Sequence, residues 1–137
     1  MAYFKVSLFT PSRILLKDFE ATEVIIPTSR GEVDILPEHT HFVTELGTGV
    51  ITLKNAQGTQ HFTSTTGLCK VLKNEIIILA HTSEKSSEID RTRAEKALAL
   101  SKEKLSGKET LDDNSILKFQ RKLARAEVRL KLALASK

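Results

Sequence analysis

At Ser83 the hydrophobic period of this sequence changes, and the change constrains the fold more than any single motif. Upstream, apolar residues come in short runs rich in β-branched types, separated by turn residues. Phe4, Val6 and Leu8 alternate with Tyr3, Lys5, Ser7 and Phe9. Further runs follow at Glu23–Ile26, Val33–Leu36, Val50–Leu53, His61–Ser64, Lys70–Leu72 and Ile76–Ala80. Thr10-Pro11-Ser12, Thr28-Ser29-Arg30-Gly31, Gly47-Thr48-Gly49, Asn55-Ala56-Gln57-Gly58 and Lys73-Asn74 divide them. Seven or more short strands at this spacing predict an antiparallel β-sandwich over residues 1–85. The Asn55–Gly58 connection reads as a hairpin between 50–54 and 59–65.

Downstream, over residues 86–137, the spacing becomes helical. Ser87 followed by Asp90 predicts a cap for a helix running to about Leu105, which Ser106-Gly107-Lys108 would end. Asp112-Asp113-Asn114 supplies caps for a second helix reaching nearly to Lys137. There Ile116, Phe119, Leu123, Ala126, Leu130 and Ala133 recur in alternating steps of three and four, a heptad seam. Ala94, Ala97, Leu98 and Leu105 give the first helix a matching stripe of smaller residues. A short polar connection between two such helices implies an antiparallel hairpin, closely packed but burying little apolar area.

Charge divides at the same place. Residues 1–85 hold eight Lys/Arg against nine Asp/Glu, a net of −1, whereas residues 86–137 hold thirteen against eight, a net of +5. From Ser115 onward seven bases face one acid, Glu127. Such a break marks two units with different partners. No apolar run approaches the ~18 residues of a membrane-spanning helix, and Met1–Lys5 has no secretory pattern, so neither spanning nor secretion is expected. A single cysteine, Cys69, excludes an internal disulfide framework and suits a reducing compartment.

Catalytic signatures are missing from the sequence. It contains no Walker-type phosphate loop, nucleophile elbow or paired cysteine ligands. His39-Thr40-His41, with Glu38 and Glu45 nearby, has the residue types of a metal site, but spacing places no third ligand, so surface or interface histidines are expected. Cys69 lies in an apolar stretch and reads as a small core residue. No catalysis and no metal are expected of this chain.

Several motifs do match a known family. Thr10-Pro11 after the first strand resembles the opening of the ε subunit of the rotary F-type ATP synthase. Gly31-Glu32-Val33-Asp34-Ile35-Leu36-Pro37-Glu38-His39 is similar to that family's Gly-Glu-x-Gly-Ile-Leu-Pro-Gly-His signature. Leu46 with Gly49-Val50 fits the Leu-x-x-Gly-x-Val stretch that follows, and Thr66-Gly67-Leu68-Cys69 stands at its Gly-Gly-Phe turn. The resemblance covers the whole chain, sandwich then hairpin. Asp34 and Glu38 replace glycines, His41 a proline, and Thr66 the first glycine of the turn. Glycine tolerates positive φ and close backbone approach, so local loop differences are expected there.

The resemblance implies a non-catalytic rotor subunit, peripheral on the cytoplasmic side of the cell inner membrane. Its sandwich would bind the γ subunit and the c-ring, joining ring rotation to the shaft that drives synthesis in the α/β catalytic head. Glu32 corresponds to a position that meets the ring loops, and His39 to the γ-facing border; the alternative is that the signature closes one end of the sandwich with both residues solvated. The hairpin would extend into the head and block ATP hydrolysis. Arg121, Arg125 and Arg129 share one helix face, flanked by Lys118 and Lys122, a stripe suited to an acidic partner surface.

Ile89-Asp90-Arg91-Thr92-Arg93-Ala94 resembles the Ile/Leu-Asp-x-x-Arg-Ala motif with which some bacterial ε subunits bind ATP, and the position-by-position match adds Glu84, Arg125 and Arg129. The family site has a further arginine where this chain has Leu100. Two readings stand side by side: a regulatory ATP site of low affinity, with no cofactor required, or Asp90 as a helix cap paired with Arg93 or Arg91. A different class of function, a nucleic-acid-binding or adaptor module using the basic helix, has against it the near-neutral sandwich and scarce aromatics. Neither nucleic-acid binding nor direct membrane insertion is expected.

Overall fold

The computed structural model describes residues 3–36, 41–106 and 112–135. The chain divides into two compact units, Met1–Ser86 and Ser87–Lys137. The first is a sandwich of two sheets. Its strands are β1 Phe4–Phe9, β2 Ile14–Ala21, β3 Glu23–Thr28, β4 Gly31–Ile35, β5 Phe42–Leu46, β6 Gly49–Asn55, β7 Gly58–Ser64, β8 Gly67–Leu72 and β9 Glu75–Ala80. One sheet has the order β2-β1-β9-β8-β5 and the other β4-β3-β6-β7. The ladders are antiparallel except that β1 and β9, the first and last strands, run parallel, Val6 opposite Ile76 and Leu8 opposite Ile78.

The alternation read from sequence determines which residues go inside. Phe4, Val6 and Leu8 of β1, Val24 and Ile26 of β3, Ile51 and Leu53 of β6, Phe62, Cys69, Val71, Ile76 and Ile78 interleave between the sheets. Burying such side chains contributes about 25 cal/mol per Å² of apolar area, which makes this core the main stabilising term. The turns follow their residues. Asn55 pairs with Gly58 across a two-residue loop, Gly58 takes φ +138°, and the Gln57 amide donates to the Asn55 side chain at 2.9 Å. Lys73 turns β8 into β9 at φ +56°.

Two strands, β2 and β5, escape the sequence pattern. In β2 the alternation breaks because Asp18 adopts φ +52°, its amide bonded to the Ser7 hydroxyl, and the register with β1 shifts between Val6 and Leu8. β5 is an edge strand in which Leu46 is the one buried residue, too weak a signal to register.

The second unit is a pair of packed helices, α1 Arg91–Leu105 and α2 Asp113–Ala135. Asp90, not Ser87, caps α1: its carboxylate accepts the Arg93 amide at 3.1 Å, while Ser87 sits in the preceding short turn Ser86–Glu88. That amide lies three positions after Asp90, the reach a capping carboxylate needs. The Gly107 and Lys108 stop signals lie outside the described residues. Asp112 caps α2, accepting the Ser115 amide at 2.7 Å; bonds from Ser115 hold its carboxyl below the usual range. Of the seam residues, Ala94, Ala126 and Ala133 are buried and Ile116, Phe119, Leu123 and Leu130 half-buried. Ser101 is buried too, a polar residue filling the heptad step between Leu98 and Leu105.

Candidate functional site

The outer face of the five-stranded sheet carries an apolar surface that core alternation does not require. In β8 and β9 both phases of the strand are apolar: Cys69, Val71, Ile76 and Ile78 point inward, and Leu68, Leu72, Ile77 and Leu79 outward. Register aligns these outward residues. Phe9 lies opposite Ile14 on one side and Leu79 on the other, and Leu79 lies opposite Leu68. The next row places Ile77 opposite Lys70, and Lys70 opposite Val43. Ile14 is 63% exposed, Val43 62%, Leu79 49% and Leu68 46%. An apolar cavity of about 420 Å³ lies at one end of this surface, lined by Phe9, Pro11, Thr66, Leu68, Leu79 and His81. A contiguous exposed apolar face of this kind is a surface on which proteins take up partners, membranes or ligands. Its signal in sequence was the unbroken Ile76-Ile77-Ile78-Leu79 run, which lacks the alternation of a half-solvated strand.

Gly67 starts β8 against Leu79 so closely that a Cβ would run into the Leu79 carbonyl oxygen. This is the glycine of the turn that the chain keeps. Thr66 beside it and Asp34 within β4 adopt no positive φ, so glycine's conformational freedom is not needed at either place. His41 is exposed.

Glu32 is exposed on β4, opposite Pro27, beside the tight turn at Ser29-Arg30. Gly31 takes φ +107° there, and the Thr28 hydroxyl donates to its carbonyl at 2.7 Å. His39 lies outside the described residues. On the outer face of β3 and β4, Glu23 is ion-paired with Lys54 at 3.2 Å, and its carboxyl lies below the usual range because of hydrogen bonds to Asp34 and Lys54.

In the hairpin, Arg93 precedes the buried Ala94, and Arg125 precedes the buried Ala126. Arg93 lies as many residues before the end of α1 as Arg125 lies after the start of α2, and both are exposed. Arg121 and Arg125 are exposed but Arg129 is half-buried, with its Nε shielded. A helix turns about 100° per residue, so each four-residue step rotates the stripe about 40° toward the seam. Lys122 lies over the Phe119 ring, 5.4 Å from its centre.

Asp90 spends one carboxylate oxygen on the Arg93 amide, and Arg91 is ion-paired with Glu95 at 3.0 Å rather than with Asp90. Ile89 is half-buried. Glu84 belongs to the first unit and Asp90, Arg93, Ala94, Arg125 and Arg129 to the second. Leu100 is 52% exposed.

Known proteins resemble this chain along nearly its whole length. Residues 3–86 match the family model described as ATP synthase, Delta/Epsilon chain, beta-sandwich domain. An ATP synthase epsilon chain of Bdellovibrio bacteriovorus is 33% identical over 131 residues, 94% of this chain and 93% of the relative. A sodium ion specific epsilon chain of Propionigenium modestum is 31% identical over 133 residues, covering 97% and 95%. The chloroplastic epsilon chain of Pelargonium hortorum is 34% identical over 126 residues, covering 90% and 91%. Among solved structures, a chain of the Euglena gracilis mitochondrial ATP synthase superposes with a TM-score of 0.84 at 22% identity, over 98% of this chain and 82% of that one. That last likeness is one of fold.

Proposed function

Since this chain belongs to the epsilon-chain family of the F-type ATP synthase, we propose that it docks on the γ shaft through the apolar outer face of its five-stranded sheet. The observation that carries this reading is the aligned patch of Phe9, Ile14, Leu68, Ile77 and Leu79, an unusual expanse for a small domain to leave in water. Glu32, at the turn end of β4, would meet the polar loops of the c-ring. The subunit does no chemistry itself; it transmits torque between ring and shaft. It would sit peripherally on the cytoplasmic face of the cell membrane, and no helix among the described residues is long and apolar enough to cross a bilayer.

The hairpin has the features of an inhibitory arm. Its second helix of 23 residues spans about 35 Å at 1.5 Å per residue. The exposed Arg121 and Arg125, with Lys118 and Lys122, offer an acidic surface of the α/β head a dense positive stripe. The exposed Arg93 and Arg125 would give ATP phosphates two donors, and the exposed Leu100 leaves out a third, which supports a regulatory contact of low affinity.

The experiment is reconstitution of the synthase with Leu68→Glu and Leu79→Glu variants. Both sites face water in the free subunit, so its melting should hold while coupled ATP synthesis falls. Full coupling in the double variant would refute the docking face.

A further inference from the structure

Between β9 and α1 the chain does not leave the sandwich at once. Residues 82–85 run along the outer edge of β7, an edge strand of its sheet, and are bonded to it by a ladder made largely of hydroxyls. The Thr63 amide donates to the Glu84 carbonyl at 2.9 Å, and the Glu84 amide returns a bond to the Thr63 hydroxyl at 2.9 Å. One step along, the Thr65 amide donates to the Thr82 carbonyl at 3.3 Å and the Thr82 amide to the Thr65 hydroxyl at 2.9 Å. The two threonine hydroxyls meet at 3.0 Å, and the Ser83 hydroxyl donates to the Thr63 carbonyl at 2.6 Å. Lys85 closes the strip with a bridge to Phe62. Thr63 and Ser83 are buried and Thr65 and Thr82 half-buried, so the Ser83–Thr63 bond in particular is made away from water, where an unmade partner is most costly.

Immediately beyond, the turn Ser86–Glu88 contains no buried residue, and Asp90 then caps α1. We propose that Thr63, Thr65, Thr82 and Ser83 form an anchor that holds residues 82–85 as an added strip on β7, so that any swing of the hairpin pivots within residues 86–89. The strip also covers an edge that would otherwise offer unpaired backbone to another chain. The proposal rests on the reading of the hairpin as an inhibitory arm that reaches into the head, and it names where the arm would leave the sandwich. Side-chain hydroxyls replace backbone partners at half of the rungs. A regular strand would need its amides in ladder phase, whereas hydroxyls bridge an irregular segment and let it stop abruptly.

Amide hydrogen exchange on the full chain tests it. The amides of Thr82 and Glu84 should exchange as slowly as those of the β6–β7 ladder, and those of Ser87 and Glu88 much faster. Thr63→Val with Thr65→Val removes both hydroxyl acceptors, and Thr82 and Glu84 should then exchange about tenfold faster or more, with β6–β7 unchanged. Should that pair fail to fold, Ser83→Ala removes the bond to the Thr63 carbonyl and should speed Glu84 in the same direction. Fast exchange at Thr82 and Glu84 in the unaltered chain, or no change in the variants, overturns the anchor. Neither outcome depends on whether the hairpin inhibits hydrolysis, which deletion of the hairpin tests separately.

Discussion

Cys69 has no exposed surface, and burial pushes its thiol up to about 12. The folded state therefore holds the proton more tightly than the unfolded chain, where a cysteine titrates near about 8.5. Stability from this difference is complete below about pH 8.5 and is lost progressively as pH rises toward 12. Melting temperature measured from pH 7 upward should fall more steeply for the natural chain than for Cys69→Ala, and a thiol reagent should label Cys69 only on unfolding. Equal slopes, or rapid labelling of the folded protein, would contradict the assignment. The residue scale is also where sequence was most and least informative. Cys69 as a core residue was legible from its apolar neighbours. The cap at Asp90 was one of two readings, because Ser87 and Asp90, three apart, resemble a capping box and only backbone geometry shows which residue starts the helix.

At the scale of elements, the helical hairpin was read nearly whole from its three-and-four spacing, since a heptad seam needs no tertiary context to be recognised. Strand β2 was not, because a left-handed residue at Asp18 reverses the alternation halfway along. The exposed apolar face was hidden for a related reason. A strand apolar in both phases reads as core until the fold shows which phase is exposed. The hairpin's own test concerns ATP. Each charge-assisted contact is worth on the order of 1.5–3 kcal/mol, so with Leu100 in place of an arginine affinity should lie roughly tenfold to a hundredfold below a complete site. Leu100 is half-exposed, so an arginine there meets no packing penalty. Calorimetric titration should give weak binding for the natural chain, tighter binding for Leu100→Arg and none for Arg93→Ala or Arg125→Ala. Flat titrations for both the natural chain and Leu100→Arg would leave Asp90 as a helix cap alone.

For the whole molecule, we propose two tasks for the two units. The near-neutral sandwich would use its exposed apolar face for a lasting contact, and the basic hairpin its charge for a reversible one. Charge pairs across a wet interface are weakened by salt, apolar contacts are not. Removing residues 88–137 should therefore leave ATP synthesis largely intact while raising ATP hydrolysis, assayed at matched enzyme concentration. Unchanged hydrolysis would show that this hairpin does not inhibit. The central claim, that the chain is held on the rotor by the outer face of its five-stranded sheet, is tested most directly by co-purification with γ in high salt. The account predicts that the natural chain stays bound as salt is raised and that Leu68→Glu with Leu79→Glu releases it. Release of the natural chain by salt, or retention of the double variant, would contradict it.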